Sequence, residues 1–199
     1  MNPEERDPAP STTIAPSPST RTVVPIGRVI LFWVIALTGA SFDLSTKAYV
    51  FRRLGEPGAR VPHSVVPQIL ELQTSYNPGA LWGFMRSVPH SSLIFAILSI
   101  IAAIGICVWL FWLGAAVDRG LTIALALIMA GALGNCYDRL VIGQVRDFVH
   151  FHVDAVNFDC AIFNFADNML VIGAVTLVLL ALRPESPGEA KGVEPVVSA

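Results

Sequence analysis

Hydrophobic positions fall into four long blocks separated by polar connections. Ile26 to about Val50 holds an uncharged run from Val29 to Phe42, then Asp43 and Lys47 one helical turn apart. The uncharged run from Ser87 to Val117 contains the second block, Gly120 to Tyr137 forms the third, and about Ala161 to Leu182 the fourth, apolar except for Asn164, Asp167 and Asn168. A bilayer's hydrocarbon core needs about 20 helical residues, so the pattern predicts four membrane-spanning helices. Four spans of alternating direction bring the end of the first, the end of the third and the start of the fourth to one side of the membrane. Asp43, Asp138 and Asp167 therefore converge.

Two connections alternate with period two instead. Leu70, Leu72, Thr74 and Tyr76 interleave with Glu71, Gln73 and Ser75 before Asn77-Pro78-Gly79, the pattern of a strand entering a turn. Val145, Asp147, Val149, Phe151 and Val153 share one face of an extended segment, with Arg146, Phe148, His150 and His152 on the other. Asp147 is the lone charge on an apolar face, where a carboxylate finds a partner or has its pKa raised by desolvation. The expected architecture is an all-α polytopic membrane protein of four transmembrane helices with a small β-structure. Residues 1–24 read as a disordered tail, 25–183 as the membrane domain and 184–199 as a polar tail.

Composition sharpens this. The 199 residues are 54% hydrophobic and 14% charged, against roughly 25% charged in soluble domains; the mean hydropathy is +0.63. A net charge of -2 with only two lysines, Lys47 and Lys191, excludes a basic nucleic-acid binder. With a cytoplasmic N-terminus, that side would receive six basic residues and the opposite side seven, so charge does not fix the orientation. Cys107, Cys136 and Cys160 form no metal-ligand spacing and read as buried thiols. His150 and His152 could ligate a metal together, but no third ligand is spaced to help them, and a surface strand pair is the preferred reading. No metal or cofactor is expected in the chemistry.

Four clusters carry polar residues beside glycine or within a span: Asp43 to Lys47; Asn77-Pro78-Gly79-Ala80-Leu81-Trp82-Gly83; Gly134-Asn135-Cys136-Tyr137-Asp138-Arg139 with Gly143 to Phe148; and Phe163-Asn164-Phe165-Ala166-Asp167. Asn164 and Asp167 share a helix face at i, i+3, as do Asn135 and Asp138. Intramembrane acids usually face a bundle interior or a wet cavity. Two carboxylates close together share a proton, so one can serve as base while the other serves as acid. They would also suit a small proton-coupled carrier, although four helices show no repeated halves for alternating access. A non-catalytic scaffold would need no paired acids at all.

In these clusters the chain resembles the lipoprotein signal peptidases, the type II signal peptidases of bacteria, whose pattern runs D-x-x-x-K, N-x-G-A, G-N-x-x-D-R, V-x-D-F and F-N-x-A-D in this order. The resemblance extends from about residue 29 to about 180. It implies an aspartic endopeptidase of the cytoplasmic membrane, cutting diacylglyceryl-modified prolipoproteins just before the lipid-bearing Cys. It also implies both termini in the cytoplasm, an active site near the extracytoplasmic face and inhibition by globomycin-type cyclic peptides. Carried over by motif, Asp147 and Asp167 would be the catalytic pair. Asn77, Gly79, Asn135, Asp138, Arg139, Asn164 and Ala166 would bind substrate or support the dyad, Asp138 pairing with an arginine. Asp43 and Lys47 would be structural. Leu44, Pro78, Leu81, Arg146 and Asn168 depart from the commoner residues at their positions, and none removes an acid.

Overall fold

The computed structural model describes residues 23–79 and 87–183. Residues 1–22 of the expected N-terminal tail, the whole expected C-terminal tail 184–199, and Ala80, Leu81, Trp82 and Gly83 of the second cluster lie outside the described residues.

In chain order the elements are α1 (Ile26–Leu54), β1 (His63–Val66), β2 (Leu70–Asn77), α2 (Ser91–Cys107), α3 (Arg119–Val141), β3 (Val145–Val153), β4 (Phe158–Asp159) and α4 (Phe165–Ala181). A π-helical turn, Val108–Trp112, prolongs α2. Among the described residues three helical stretches are long and apolar enough to cross a membrane: Ile26–Leu54, Ser91–Trp112 and Arg119–Val141. The expected fourth, α4, is apolar but has 17 residues, about 26 Å at 1.5 Å per residue. It begins four residues later than the hydrophobic run because Phe163 is held in a bridge to Val149 and Asn164 caps the helix. The third helix instead continues beyond Tyr137, carrying Asp138 and Arg139 in its last turns.

α3 packs against α1, α2 and α4. Small residues allow this: Ala124, Ala126, Ala130, Gly131 and Gly134 are buried along it. A methyl on Gly131 would collide with the Ala166 carbonyl, and one on Gly173 of α4 would come within 2.7 Å of the Ala124 carbonyl oxygen. Such close backbone approach is how helices associate where lipid removes the hydrophobic drive. The outward faces are apolar: Ile30, Val34 and Leu37 on α1, Leu93, Ile97 and Ile101 on α2, and Val171, Val175 and Leu179 on α4 are all exposed. A surface of this extent suits hydrocarbon rather than water. An apolar core of Phe32, Ala36, Ile106, Leu110, Leu125 and Met129 joins α1 to α3 and the end of α2.

The four strands form an antiparallel sheet ordered β1-β2-β3-β4. Both expected strands are present with nearly the expected bounds, but the period-two reading of the first is interrupted. Leu72 pairs with Val149 and Ser75 with Asp147, so three steps on β2 match two on β3. That bulge reverses which side chains of β2 face a given side. The sheet meets the bundle at the C-terminal end of α1, where Phe51 and Tyr76 rings lie 5.3 Å apart. All three cysteines are free thiols; Cys136 is buried, whereas Cys107 and Cys160 are only half-buried, contrary to the reading of three buried thiols.

Candidate active site

The site lies where the C-terminal halves of α1 and α3, the start of α4 and strands β2 and β3 meet. Asn164 organises it. Its side-chain oxygen accepts from the Asp167 backbone N–H at 3.0 Å, and Asp167 Oδ2 accepts from the Asn164 N–H at 3.2 Å, a reciprocal capping box that starts α4. The Asn164 Nδ2 group donates to Asp147 Oδ1 at 2.6 Å and to Asn135 Oδ1 at 3.2 Å. One buried amide thus touches the backbone that positions Asp167 and the carboxyl group of Asp147. Phe165, packed between Phe42 of α1 and Phe148 of β3, wedges the helix start in place.

Asp147 is buried on β3, and its second oxygen accepts from Asn77 Nδ2 at 3.2 Å. Burial pushes its pKa up to about 7, the neighbouring Asp167 adds to the rise, and the amides of Asn164 and Asn77 oppose it. Asp167 Oδ1 accepts from Asn135 Nδ2 at 2.8 Å. Its place in the first turn of α4 puts it at the positive end of the helix dipole, where a negative carboxylate is stabilised.

Beneath these groups runs a buried ion chain. The Lys47 ammonium pairs with Asp43 Oδ2 at 2.7 Å and Asp138 Oδ2 at 3.3 Å, and donates to Asn135 Oδ1 at 2.9 Å. The ammonium thus has two carboxylates at ion-pair distance and one hydrogen bond to an amide. Asp138 also meets Arg146, through Nη2 at 2.7 Å, Nε at 3.2 Å and the backbone N–H at 3.0 Å. The expected arginine partner of Asp138 is therefore Arg146, one of the departures noted in the sequence. Asp43 Oδ1 accepts from the Ala166 N–H at 2.8 Å, tying α1 to the first turn of α4. A methyl on Gly134 would sit 2.5 Å from Asp43 Oδ2. Two acids balanced by two bases make such burial tolerable.

Arg139 donates to the Gly79 carbonyl at 3.0 Å and lies over the Phe95 ring at 5.4 Å. The Asn77 side chain in turn accepts from the Gly79 N–H at 3.0 Å, closing the turn after β2. Asn77, Asn135, Arg139, Asp147 and Asp167 all line one cavity of about 1030 Å³, whose remaining wall is mainly apolar and includes Leu98, Ile128, Ile162 and Leu170. A site of this size holds an extended peptide segment or a comparable ligand.

All eleven candidate site residues are described; Asn77, Asn135, Arg139, Asp147 and Asp167 border the cavity directly, while Asn164, Ala166, Gly79 and the Asp43–Lys47–Asp138 chain do not. Lys47 was read as structural, yet it also fixes the orientation of Asn135. Spacing along the chain could not have revealed that link, because the two residues are 88 positions apart.

Residues 35–183 match the sequence profile of the family described as Signal peptidase (SPase) II. A lipoprotein signal peptidase from Rhodopirellula baltica is 33% identical over 98% of this chain and 89% of its own length. One from Pseudomonas aeruginosa is 35% identical over 82% of this chain and 94% of its own. Among solved structures, one described as a bacterial membrane enzyme determined by the in meso method at 2.3 Å resolution shares 32% identity, covers 87% of this chain and 99% of its own, and gives a TM-score of 0.68. With this coverage and this site, the chain belongs to the signal peptidase II family.

Proposed function

We propose that this signal peptidase II removes the signal peptide of diacylglyceryl-modified prolipoproteins through a dyad of Asp147 and Asp167, cutting before the lipid-bearing Cys. Protease activity on prolipoproteins follows from the family. The observation that carries the dyad is the single Asn164 side chain that donates to the Asp147 carboxyl and accepts from the Asp167 backbone N–H, behind two acids that both line one cavity.

The environments divide the roles. Burial raises the pKa of Asp147 to about 7, which suits it as the acid, and Asp167, in the first turn of α4, is assigned as the base. Asp167 takes a proton from water as its oxygen bonds to the scissile carbonyl carbon, and Asp147 donates its proton to the carbonyl oxygen. As the tetrahedral intermediate collapses, the C–N bond breaks. Asp167 then passes its proton to the leaving amine of the lipid-bearing Cys, and the hydroxyl proton returns to Asp147. The dyad is restored. Asn77, Asn135, Arg139 and the Gly79 turn hold the extended substrate, and Asp138 and Ala166 serve as supports.

Four transmembrane helices, both termini in the cytoplasm and a dyad near the extracytoplasmic face complete the reading. Support comes from the clustering of the site and the sheet at one end of the bundle and from the apolar outer face of α4. The cavity runs along α3 between Leu98 of α2 and Val171 of α4, both half exposed toward the surrounding hydrocarbon, which suits sideways entry of a lipid-bearing segment. Globomycin-type peptides would compete there. No observation favours a proton-coupled carrier.

Cleavage of a diacylglyceryl-modified prolipoprotein by purified protein in detergent tests this. Wild-type cleavage lost in Asp147→Asn and in Asp167→Asn is expected, with both variants still eluting as folded protein. Full activity in either variant refutes the dyad.

A further inference from the structure

A second polar cluster lies on the sheet. His150 and His152 stand two residues apart on β3 with their rings stacked, centroids 5.0 Å apart and planes at 14°. Glu71 of β2 is the residue paired with His150. One ligand atom from each of Glu71, His150 and His152 lies within 4.8 Å of the others. The third ligand that the sequence did not supply comes from another strand.

The two imidazoles are oriented from behind. His150 Nε2 meets Asp159 Oδ1 at 2.7 Å, and His152 Nδ1 meets Asp154 Oδ1 at 2.9 Å. The opposite ring nitrogens, His150 Nδ1 and His152 Nε2, are buried without a hydrogen-bond partner among the described residues. A buried ring nitrogen left unsatisfied is costly. A metal-ligating imidazole shows this same division, one nitrogen on the metal and the other hydrogen-bonded to a carboxylate. His152 Nε2 already lies 3.8 Å from Glu71 Oε1, so small torsional adjustments bring the donors to the roughly 2.0–2.2 Å bond lengths a zinc ion takes.

We propose that His150 Nδ1, His152 Nε2 and the Glu71 carboxylate bind a Zn(II) ion, with water as the fourth ligand and Asp154 and Asp159 as its carboxylate supports. Two imidazoles and one carboxylate are a common tetrahedral zinc set with one open position. The ion would clamp β2 to β3 and, through Asp159, draw in β4. It is not part of the peptidase reaction. None of Glu71, His150 and His152 lines the cavity that holds Asp147 and Asp167.

The test is metal content and affinity, so its outcome does not depend on cleavage. Full-length protein without a histidine tag is stripped by a chelator in detergent, then titrated with zinc chloride against a chromophoric zinc indicator. One zinc per chain is expected. Affinity should fall about 10- to 100-fold in Asp154→Asn, as for other carboxylate supports, and stoichiometric binding should vanish in the His150→Gln/His152→Gln pair. Asp147→Asn should bind zinc like the wild type. Glu71→Gln, a change at the partly exposed ligand, gives a second reading if the double variant fails to fold. No zinc bound by the wild type, or stoichiometric binding that survives both the double variant and Glu71→Gln, overturns the proposal.

Discussion

Lys47 and Asp167 never touch, yet Lys47 sets what Asp167 receives. Asn135 stands between them, its oxygen accepting from Lys47 at 2.9 Å and its nitrogen donating to Asp167 at 2.8 Å. The amide can serve Asp167 as a donor only while its oxygen is turned to the ammonium. The sequence reading of Lys47 as a structural residue thus gains a second part, as the positioning residue for one carboxylate.

Lys47→Met should accordingly affect both stability and rate. Removing one partner from a buried ion cluster costs about 3–5 kcal/mol, here because Asp43 loses its cation while Asp138 retains Arg146. A lowered melting temperature and a fall in kcat greater than any rise in KM are the expected results. An unchanged kcat in folded protein would remove the positioning role.

The raised pKa of Asp147 fixes a direction with pH. An ordinary carboxyl ionises near about 4, and this one in the fold near about 7. The folded state therefore binds more protons than the unfolded one between those values, so this group's stabilising contribution is complete below about pH 4 and is lost as pH rises to about 7. Asp147→Asn should melt progressively higher relative to wild type as pH is raised from 5 to 8. Cleavage by the wild type should fall on the alkaline side with an apparent pKa near 7, as the shared proton is lost.

Gly134→Ala tests the contact between α1 and α3. The added methyl meets Asp43 Oδ2 and must push that carboxylate off the Ala166 N–H. Overpacking of this kind costs about 1–3 kcal/mol. Gly105→Ala on α2, with nothing within 4 Å of the new methyl, is the matched control and should leave melting and activity unchanged or slightly improved.

Arg146→Leu removes the external cation from Asp138. Lys47 remains, so the variant should fold with a lowered melting temperature, and the β3 turn that Arg146 anchors should become more susceptible to proteolysis between Val141 and Val145. Resistance equal to wild type would show the pair to be dispensable.

Much of this was legible in the chain. Hydrophobic blocks gave the helices, because lipid-facing sides must be continuous, and alternating direction gave the convergence of Asp43, Asp138 and Asp167. Period two gave β2 and β3. The bulge in β2 was not legible, since no glycine marks it, and with it went the meeting of Glu71 and His150. The start of α4 was placed early because Ala161 to Phe163 are apolar, although Phe163 is bridged to Val149 of β3 and Ala161 and Ile162 belong to no helix. Among the site contacts, the choice of Arg146 over Arg139 as partner of Asp138 depended on tertiary approach, which spacing does not record.

The reciprocal bonds between Asn164 and Asp167 have a consequence for biosynthesis. Both residues emerge from the ribosome after Asn77, Asn135, Arg139 and Asp147. Until α4 has begun to wind, Asp147 stands without its partner and Asn135 lacks the carboxylate it serves. With the proposed dyad, the chain is thus unable to cut while its first three helices are being made, and competence arrives with the last helix to be synthesised.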